Sequence, residues 1–291
     1  MRSVDRRDFM KLAGVAGVTF ASGLGVGPAL GAEDFFFVQM TDTHWGFKGA
    51  PNPEAHTTLQ RGIAAVNGLA HQPDFIIFTG DLTHTTEDGQ ERRRRLAEFR
   101  DIASGLKVKN VRYMPGEHDA ALDGGAAYKE FFGALYYSFD HKGVHFIALD
   151  NTSDPGASLG QAQLDWLRAD LKQLGADQPI IVLAHRPLFD LAPDWDWTTR
   201  DGKAALELLM PYRNVSVFYG HIHQEHHHMT GHIAHHAATS LIFPLPAPGS
   251  QPRRAPLAWN PDSPFKGLGF RSVAGRGDRA AHELTEHTLK A

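Results

Sequence analysis

Short apolar stretches alternate with longer segments of helical period along most of the chain, beginning near residue 34. The short stretches are rich in β-branched and aromatic residues, which favours strands. The longer segments repeat their apolar residues every three to four positions, as amphipathic helices do. This alternation predicts an α/β domain. The predicted strands are Phe35–Met40, Phe75–Thr79, Val111–Met114, Val144–Leu149, Ile180–Ala184 and Val215–Tyr219, and the predicted helices are Glu54–His71, Gln90–Ser104, Gln161–Leu174 and Lys203–Met210.

The pattern changes after His223, where strands follow one another without helices between them. Two strand-like stretches flank Thr230-Gly231, which predicts a tight turn between them. A Pro-rich loop occupies residues 244–264, and two further stretches predict a final strand pair that closes the sheet. The four strands predicted in this part are Glu225–Met229, His232–Thr239, Gly269–Val273 and His282–Leu289.

The predicted helices separate apolar from charged residues. In the second helix, Leu96 and Phe99 supply the inner face, so Arg92–Arg95 are predicted to face solvent rather than to form an anion site. The third helix carries a leucine stripe that we assign to the core rather than to a partner-binding zipper. This stripe consists of Leu164, Leu167, Leu171 and Leu174.

The overall charge balance argues against nucleic acid as a partner. The chain of 291 residues has 29 Lys+Arg and 33 Asp+Glu, a formal net charge of -4, and its pI is near 6.5. Such a balance provides no extended positive field for phosphate contacts, and the longest basic run is the four arginines Arg92–Arg95. The length fits one fairly large domain or two small ones, and no convincing linker divides it.

The chain contains no cysteine, which excludes disulfides, thiolate zinc sites, iron–sulfur clusters and a cysteine nucleophile. It has 18 histidines, all after residue 43, and eight of them lie between His221 and His236. Any bound metal must therefore be held by imidazole, carboxylate or amide groups.

The N-terminal residues resemble a bacterial twin-arginine export signal. Arg6-Arg7 precedes an apolar stretch over residues 12–30, and small residues surround a cleavage position expected after Gly31 or Ala32. Six glycines in this region make an ordinary first helix unfavourable, because each costs about 1 kcal/mol relative to Ala. An uncleaved anchor of about 19 residues would be of borderline length for spanning a bilayer.

We therefore expect residues 1–32 to be a signal peptide and residues 33–291 to form a single domain. The export machinery would be a transient partner, and the mature protein would be periplasmic and without a stable membrane anchor. Twin-arginine export carries folded proteins, which suits a protein that takes up metal before it leaves the cytoplasm.

Five of the six predicted strands that alternate with helices are followed directly by residues able to bind metal. Ligand sites of open α/β sheets lie outside the carboxyl ends of the strands, so these groups are expected to converge on one edge. Each motif alone is weak, whereas their ordered combination is specific. In chain order they are Asp42-Thr43-His44, Gly80-Asp81, Gly116-Glu117-His118-Asp119, His185 and Gly220-His221-Ile222-His223.

This ordered set resembles the calcineurin-like metallophosphoesterases, whose pattern is Asp-x-His, Gly-Asp, Gly-Asn-His-Asp/Glu, His and Gly-His-x-His. The resemblance runs from about Phe35 to Gln224 and implies a four-layer α/β/β/α sandwich of mixed sheets, the fold of metallo-dependent phosphatases. It also implies a pair of metal ions that share a bridging hydroxide, which attacks a phosphomonoester or phosphodiester.

The resemblance also assigns roles to individual residues. His118 would be the general acid for the leaving-group oxygen, and Asp119 would orient its imidazole. A site of imidazole and carboxylate groups without sulfur suits Fe, Mn or Zn, and the sequence does not choose among them. The first metal would be held by Asp42, His44, Asp81 and His223, and the second by the bridging Asp81 with Glu117, His185 and His221.

Glu117 departs from the family pattern, which has Asn at this place. The carboxylate adds a negative charge, which would tighten a second metal or favour a higher oxidation state, but also offsets positive charge that activates hydroxide. We expect Glu117 to bind metal; the alternatives are that it points away, leaving one metal, or acts as a base. This departure and the histidine cluster motivate a rival hypothesis, an exported metal-binding or sensory protein with little or no turnover.

Several residues outside the motifs are weaker candidates. His84 is a possible substrate contact or a loop surface residue, and Arg186 is a possible phosphate contact or a salt-bridged scaffold residue. Residues 194–197, Asp-Trp-Asp-Trp, could confer selectivity or be ordinary loop packing. The remaining histidines of the cluster are expected to be solvated on a sheet surface rather than near the site. They include His226, His228, His232 and His236.

Overall fold

Two six-stranded sheets form the framework of the computed structural model, which describes residues 19–20, 34–276 and 282–290. With strands numbered in chain order, the first sheet contains β1 (Thr19–Phe20), β2 (Asp34–Met40), β3 (Phe75–Thr79), β4 (Val111–Met114), β11 (Gly269–Arg276) and β12 (His282–Thr288). Their spatial order is β1-β12-β11-β2-β3-β4. The neighbours β2, β3 and β4 are parallel, and β11 is antiparallel to both β2 and β12.

The second sheet has the same mixed character. It contains β5 (Tyr137–His141), β6 (Val144–Ala148), β7 (Ile180–Leu183), β8 (Val215–Tyr219), β9 (His226–Thr230) and β10 (Ile233–Ala237). The order is β5-β6-β7-β8-β10-β9, with a parallel centre from β6 to β10 and an antiparallel strand at each edge.

Helices cover the outer face of each sheet. They are α1 (Ala55–Asn67), α2 (Gly89–Ala103), α3 (Glu117–Ala120), α4 (Ala126–Phe132), α5 (Gly160–Leu171) and α6 (Gly202–Leu209), with a 3₁₀ turn at Pro193–Trp195. Leu59 of α1 and Phe99 of α2 pack with Val38 on the first sheet. Leu167 of α5 and Leu209 of α6 pack with residues of the second sheet. Within the described residues no helix is long and apolar enough to cross a membrane.

An aromatic core fills the space between the two sheets. Phe37 stacks on Phe75 with ring centroids 5.1 Å apart, and both meet the ring of Phe146 edge-on from the opposite sheet. Edge-to-face contacts of this kind are favourable beyond the area that they bury. Two sheets packed on each other and covered by helices confirm the predicted four-layer α/β/β/α sandwich.

A buried polar link ties the sheets together at the carboxyl ends of their strands. The side-chain amide of Gln39 donates to Thr79 Oγ1 at 3.0 Å, within its own sheet, and to the carbonyl of Tyr219 at 3.1 Å, across to the second sheet. Because both acceptors are the last residues of central strands, this link fixes the two strand ends next to each other.

The predicted strands and helices agree with the structure to within a few residues at most ends, but among residues 34–276 one strand and two α-helices were missed. The strand β5 is short and only half-buried, so its pattern is weak. The helices α3 and α4 have four and seven residues, too short to show a helical period. Of the four stripe leucines, Leu164, Leu167 and Leu171 are buried, which confirms the core assignment for these three.

Two surface predictions are wrong in part. Arg92 is buried, and its guanidinium pairs with Asp123 at 2.8 Å, because α4 packs beside α2 and covers the start of the arginine run. His236 is fully buried rather than solvated, because its strand β10 lies inside the second sheet, between β8 and β9. His226 and His228 are half-buried, and His232 is exposed as expected.

The expected signal peptide lies almost entirely outside the described residues. Of residues 1–32, only the two-residue strand Thr19–Phe20 is described, and it pairs with β12 in parallel. The first residue described after it is Asp34, where β2 begins.

Candidate metal centre

Strand ends from both sheets meet at one place. Asp42 and Asp81 lie two residues beyond β2 and β3, and Glu117 lies three residues beyond β4. From the second sheet, His185 follows β7, and His221 and His223 follow β8. The sequence predicted convergence on one sheet edge, whereas the structure forms the site from two facing sheets.

Five of the predicted ligand residues have left-handed backbone conformations. The φ angles are 53° for Asp42, 41° for His44, 50° for Asp81, 65° for His221 and 53° for His223. A non-glycine residue in this region costs about 1–3 kcal/mol and persists only where its surroundings impose it. The main chain supplies that constraint, since the Asp42 amide donates to the Gly80 carbonyl at 3.1 Å and the His44 amide to the Asp81 carbonyl at 2.9 Å.

The first group of ligand atoms consists of Asp42, His44 and His223, all buried. The Nε2 atom of His223 lies 3.3 Å from Asp42 Oδ1 and 3.3 Å from Nε2 of His44. The amide of His221 and the hydroxyl of Thr41 donate to Asp42 Oδ2 at 3.0 and 2.6 Å, so this carboxylate is held in one orientation.

The second group consists of Asp81, Glu117, His185 and His221. Glu117 Oε2 lies 2.9 Å from His185 Nε2, and its Oε1 lies 2.9 Å from His221 Nδ1. Asp81 Oδ2 is 3.4 Å from His44 Nε2 in the first group and 3.4 Å from His185 Nε2 in the second. One carboxylate oxygen is therefore equally close to both groups, which is the position of a bridging ligand.

The ring nitrogens that point away from the centre have hydrogen-bond acceptors. Nδ1 of His185 lies 2.7 Å from the Thr79 carbonyl, and Nδ1 of His223 lies 2.8 Å from the Phe243 carbonyl. Nε2 of His221 lies 3.0 Å from the Asp196 carbonyl. A proton on each of these atoms leaves the opposite ring nitrogen bare and directed at the centre, the arrangement that metal-bound histidines show.

Two buried atoms in the second group have no hydrogen-bond donor among the described residues. They are His185 Nε2 and Glu117 Oε2, which face each other at 2.9 Å. If the His185 proton is on Nδ1, both atoms offer only lone pairs, and a cation between them is what would satisfy both. The residues present therefore fit a pair of metal ions.

Charges within the second group are strongly interdependent. Burial raises the pKa of Glu117, but His221, His185 and Arg186 outweigh that effect and hold the pKa well below its usual value. Burial lowers the pKa of His185, but Asp81 and Glu117 raise it well above its usual value. The carboxylates thus demand positive charge at this place, whether from protons or from metal.

His118 lies next to the bridging position. Its Nε2 atom is 3.9 Å from Asp81 Oδ2. Its Nδ1 atom accepts a hydrogen bond from the Thr85 amide at 3.2 Å and lies 2.6 Å from the Thr85 hydroxyl. Because the amide can only donate, the neutral ring carries its hydrogen on Nε2, the nitrogen that faces the centre.

The expectation that Asp119 orients the His118 ring is wrong. The carboxylate of Asp119 accepts hydrogen bonds from the amides of Leu82, Thr83 and Gly116, at 2.8 to 3.0 Å, and from the Thr83 hydroxyl. It therefore joins the loop that carries Asp81 to the loop that carries Glu117. Burial, followed by repulsion from Asp81, raises the pKa of Asp119 to about 7 despite these hydrogen bonds.

The close approach of these two loops requires a glycine. A Cβ atom on Gly116 would lie 2.0 Å from Asp81 Oδ1 and 2.2 Å from the Asp81 nitrogen. The motif glycine therefore allows the bridging carboxylate to lie directly against the turn that precedes Glu117.

Of the two weaker candidates, His84 is part of the centre and Arg186 supports it. Nδ1 of His84 lies 3.3 Å from Nδ1 of His44, and its ring stacks on that of His118 with centroids 4.9 Å apart. Arg186 is buried and its Nη1 pairs with Asp196 at 2.7 Å, which agrees with the scaffold alternative.

Sequence reasoning missed Thr85 and Phe243, which hold these groups in place, and named Asp196 only as part of a segment for selectivity or loop packing. Thr85 contacts the His118 ring, and Asp196 contacts both Arg186 and His221. Phe243 accepts from His223 through its carbonyl and places its ring 5.0 Å from that histidine. The only signal for Thr85 in the sequence was that it is a polar residue close after Asp81. No signal in the sequence indicated Phe243, which lies twenty residues after His223.

The Asp-Trp-Asp-Trp segment is mainly a packing element. Trp195 and Trp197 are buried and meet edge-on with centroids 5.0 Å apart. Asp196 between them has φ 65° and is directed toward Arg186.

Comparison with known proteins agrees with this geometry. The model of the calcineurin-like phosphoesterase family matches residues 37–225, which include every ligand described above. The chain belongs to this family. Membership confirms the resemblance seen in the ordered motifs.

Relatives of this calcineurin-like phosphoesterase include both phosphodiesterases and phosphatases. A probable cyclic nucleotide phosphodiesterase of Rhodococcus erythropolis is 29% identical over 205 residues, covering 65% of this chain and 64% of that protein. The serine/threonine-protein phosphatase CPPED1 of Mus musculus is 29% identical over 220 residues, covering 65% of this chain and 70% of that protein. The chain thus matches about two thirds of the length of each.

Solved structures show the same fold. A dimetal phosphatase from Danio rerio superposes with a TM-score of 0.55 at 16% identity, covering 88% of this chain and 99% of that structure. At this identity the likeness establishes the architecture of the calcineurin-like phosphoesterase, a two-sheet sandwich with helices.

Proposed function

We propose that the protein is a two-metal phosphoesterase that hydrolyses a phosphomonoester or a phosphodiester. The observation that carries this proposal is the position of Asp81, whose Oδ2 is 3.4 Å from His44 in one ligand group and 3.4 Å from His185 in the other. His118 lies beside the same oxygen at 3.9 Å. A protein that only bound metal would not need an acid at this place.

The chain's own residues account for most of the required chemistry. When bound, the two cations would supply the Lewis acid that activates water and neutralises phosphoryl charge. Asp42, His44 and His223 would hold one cation, Glu117, His185 and His221 the other, and Asp81 both. The Nε2 atom of His118 faces this centre, so the imidazolium form of the ring would give its Nε2 proton to the leaving oxygen and become the neutral ring.

The donor set restricts the metals to a few candidates. Imidazole and carboxylate groups without sulfur suit Fe, Mn and Zn, in divalent or trivalent form. We propose one of these metals in each position.

The proposal is tested by hydrolysis of a chromogenic phosphodiester and its matching monoester. The protein is stripped of metal and then reloaded with Mn, Zn or Fe in separate samples. Turnover that depends on metal, with one ester preferred, would establish the activity and its substrate class. Stoichiometric binding of two metals without turnover would instead support the exported binding or sensory protein that Glu117 raised as an alternative.

His118→Ala separates the acid from the metal centre. We expect esters with poor leaving groups to lose about 100-fold or more in rate, because general acid catalysis contributes about that much. Activated aryl esters should lose much less, since their leaving groups need no proton. Equal losses on both kinds of ester would contradict the role of His118.

We also propose that the protein is exported through the twin-arginine pathway and acts in the periplasm. The support is the Arg6-Arg7 string, the apolar stretch after it, and the start of β2 at Asp34, directly after the expected cleavage position. Cleavage after Gly31 or Ala32 would remove the short strand Thr19–Phe20 and leave β12 as the edge of the first sheet.

Export is tested by fractionating bacteria that produce the full chain and sequencing the N-terminus of the periplasmic form. We expect a mature protein that begins at Ala32 or Glu33. A variant with lysine at both Arg6 and Arg7 should stay in the cytoplasm at full length. Export of that variant, or an uncleaved periplasmic protein, would contradict the proposal.

A further inference from the structure

The second ligand group contains one more negative charge than the family pattern provides. Glu117 occupies the place of an asparagine, and its side chain lies against His185 and His221. A buried carboxylate is costly unless a positive group compensates it. The two histidines would offer their bare nitrogens to a metal, so neither would supply a positive charge of its own to Glu117 when the metal is bound.

Arg186 lies where such compensation is needed. Its Nη2 atom is 3.7 Å from Glu117 Oε1, and both side chains are largely withdrawn from solvent. Its Nη1 atom pairs with Asp196 Oδ2 at 2.7 Å and donates to the Asp196 carbonyl at 3.0 Å. The guanidinium is therefore fixed by one residue and directed at the carboxylate of another.

Asp196 fixes the second neighbour of Glu117 as well. The carbonyl that receives Arg186 also lies 3.0 Å from Nε2 of His221, whose other nitrogen is 2.9 Å from Glu117. One backbone oxygen thus positions both groups that contact Glu117 Oε1. The left-handed backbone of Asp196, with φ 65°, directs this carbonyl.

We propose that Arg186, held in place by Asp196, offsets the negative charge that Glu117 adds next to the second metal position. Arg186 is a positioning and charge-compensating residue, since it lies against the candidate ligand Glu117. The proposal rests on the two-metal centre of the proposed function. It explains how a carboxylate can replace the amide without raising the affinity for the second metal excessively.

The proposal is tested by zinc binding to metal-free protein, measured by isothermal titration calorimetry at fixed pH. Glu117→Gln removes a negative charge and should weaken the second zinc about tenfold, as expected for a charge a few ångströms away in a protein site. Arg186→Gln removes the compensating charge and should tighten it about tenfold. The double variant should return to within about threefold of the parent, because the two changes cancel.

The sign of the Arg186 effect separates charge compensation from simple support. If Arg186 only holds Glu117 in place, Arg186→Gln weakens the second zinc and the double variant binds no better than Glu117→Gln. Either result overturns the proposal. Arg186→Lys keeps the positive charge and should not tighten the second zinc as Arg186→Gln does, so equal tightening in both variants would also count against the proposal.

Arg213→Gln is the matched control, because Arg213 pairs with Asp177 on the exposed surface. It loses the same charge by the same substitution and should leave both zinc affinities unchanged. Thermal unfolding of the metal-free proteins identifies any variant that fails to fold. If Arg186→Gln fails to fold, the affinity of Arg186→Lys for the second zinc decides between charge compensation and simple support. A parent that binds fewer than two zinc ions contradicts the proposed metal centre itself, whereas two sites without compensation contradict only this inference.

Discussion

At the scale of single residues, the centre is built from backbone conformations that side chains disfavour. Five ligand residues have positive φ, at about 1–3 kcal/mol each, which is a large share of the 5–15 kcal/mol by which a typical domain is stable. The hydrogen bonds of Asp119 and of the strand-end amides offset part of this cost. The side chains of the ligands consequently point inward from loops that have little freedom to move.

Thr85 is the residue whose role is most open to test. Thr85→Val removes the hydroxyl that lies 2.6 Å from His118 Nδ1 and keeps the shape of the side chain. We expect hydrolysis of esters with poor leaving groups to slow about tenfold, a part of what general acid catalysis contributes, because the ring loses one of its two contacts. The measurement is the rate on poor and on activated leaving groups.

Thr85→Ser is the control for that substitution, since it retains the hydroxyl. It should behave like the parent on both kinds of ester. A Thr85→Val protein with unchanged rates on poor leaving groups would show that the hydroxyl does not position His118.

At the scale of secondary-structure elements, α2 connects the active-site loop to the rest of the first layer. Arg95 donates to the carbonyl of His84 at 2.9 Å, and Arg93 pairs with Glu130 of α4. The arginine run thus makes specific contacts on two sides of the helix rather than only facing solvent.

The N-terminus of α2 should contribute measurably to stability. Asp88 Oδ1 accepts from the amides of Gln90 and Glu91 at 2.8 and 3.3 Å, as an N-cap does. Asp88→Ala should lower the free energy of unfolding by about 1 kcal/mol, measured in urea with an unchanged m value. Asp88→Asn keeps a side-chain acceptor and should lower the free energy of unfolding by only a few tenths of a kcal/mol. Equal losses in the two variants would argue against capping.

At the scale of the whole molecule, histidines are buried as neutral groups far from the metal centre. His282 lies in β12 against the rings of Phe35 and Phe218, and burial lowers its pKa to about 4. The unfolded chain takes up this proton near pH 6.5, whereas the folded protein does so only near pH 4. This histidine has no effect above pH 6.5 and destabilises the fold progressively as the pH falls toward 4.

His282→Leu should therefore make unfolding less sensitive to acid. Between about pH 6.5 and 4 the parent should lose up to about 3 kcal/mol of unfolding free energy more than the variant, from a pKa depressed by two to three units. The measurement is the slope of unfolding free energy against pH for both proteins. His71→Gln, a change at an exposed histidine, should keep the parent's slope, and a His282→Leu slope equal to the parent's would contradict the argument.

The sequence by itself predicted most of the strands, the four longer helices and the candidate ligand residues. The spacing of apolar residues is a local property, and the motifs Asp-x-His, Gly-Asp and Gly-His-x-His are contiguous. The elements and the motifs can therefore be recognised along the chain. Only the tertiary structure decided what surrounds those ligands. Thr85 rather than Asp119 contacts His118, and Arg186 pairs with Asp196, because loops distant in sequence are brought together where the two sheets meet. Such contacts depend on how two sheets pack, which no local pattern records.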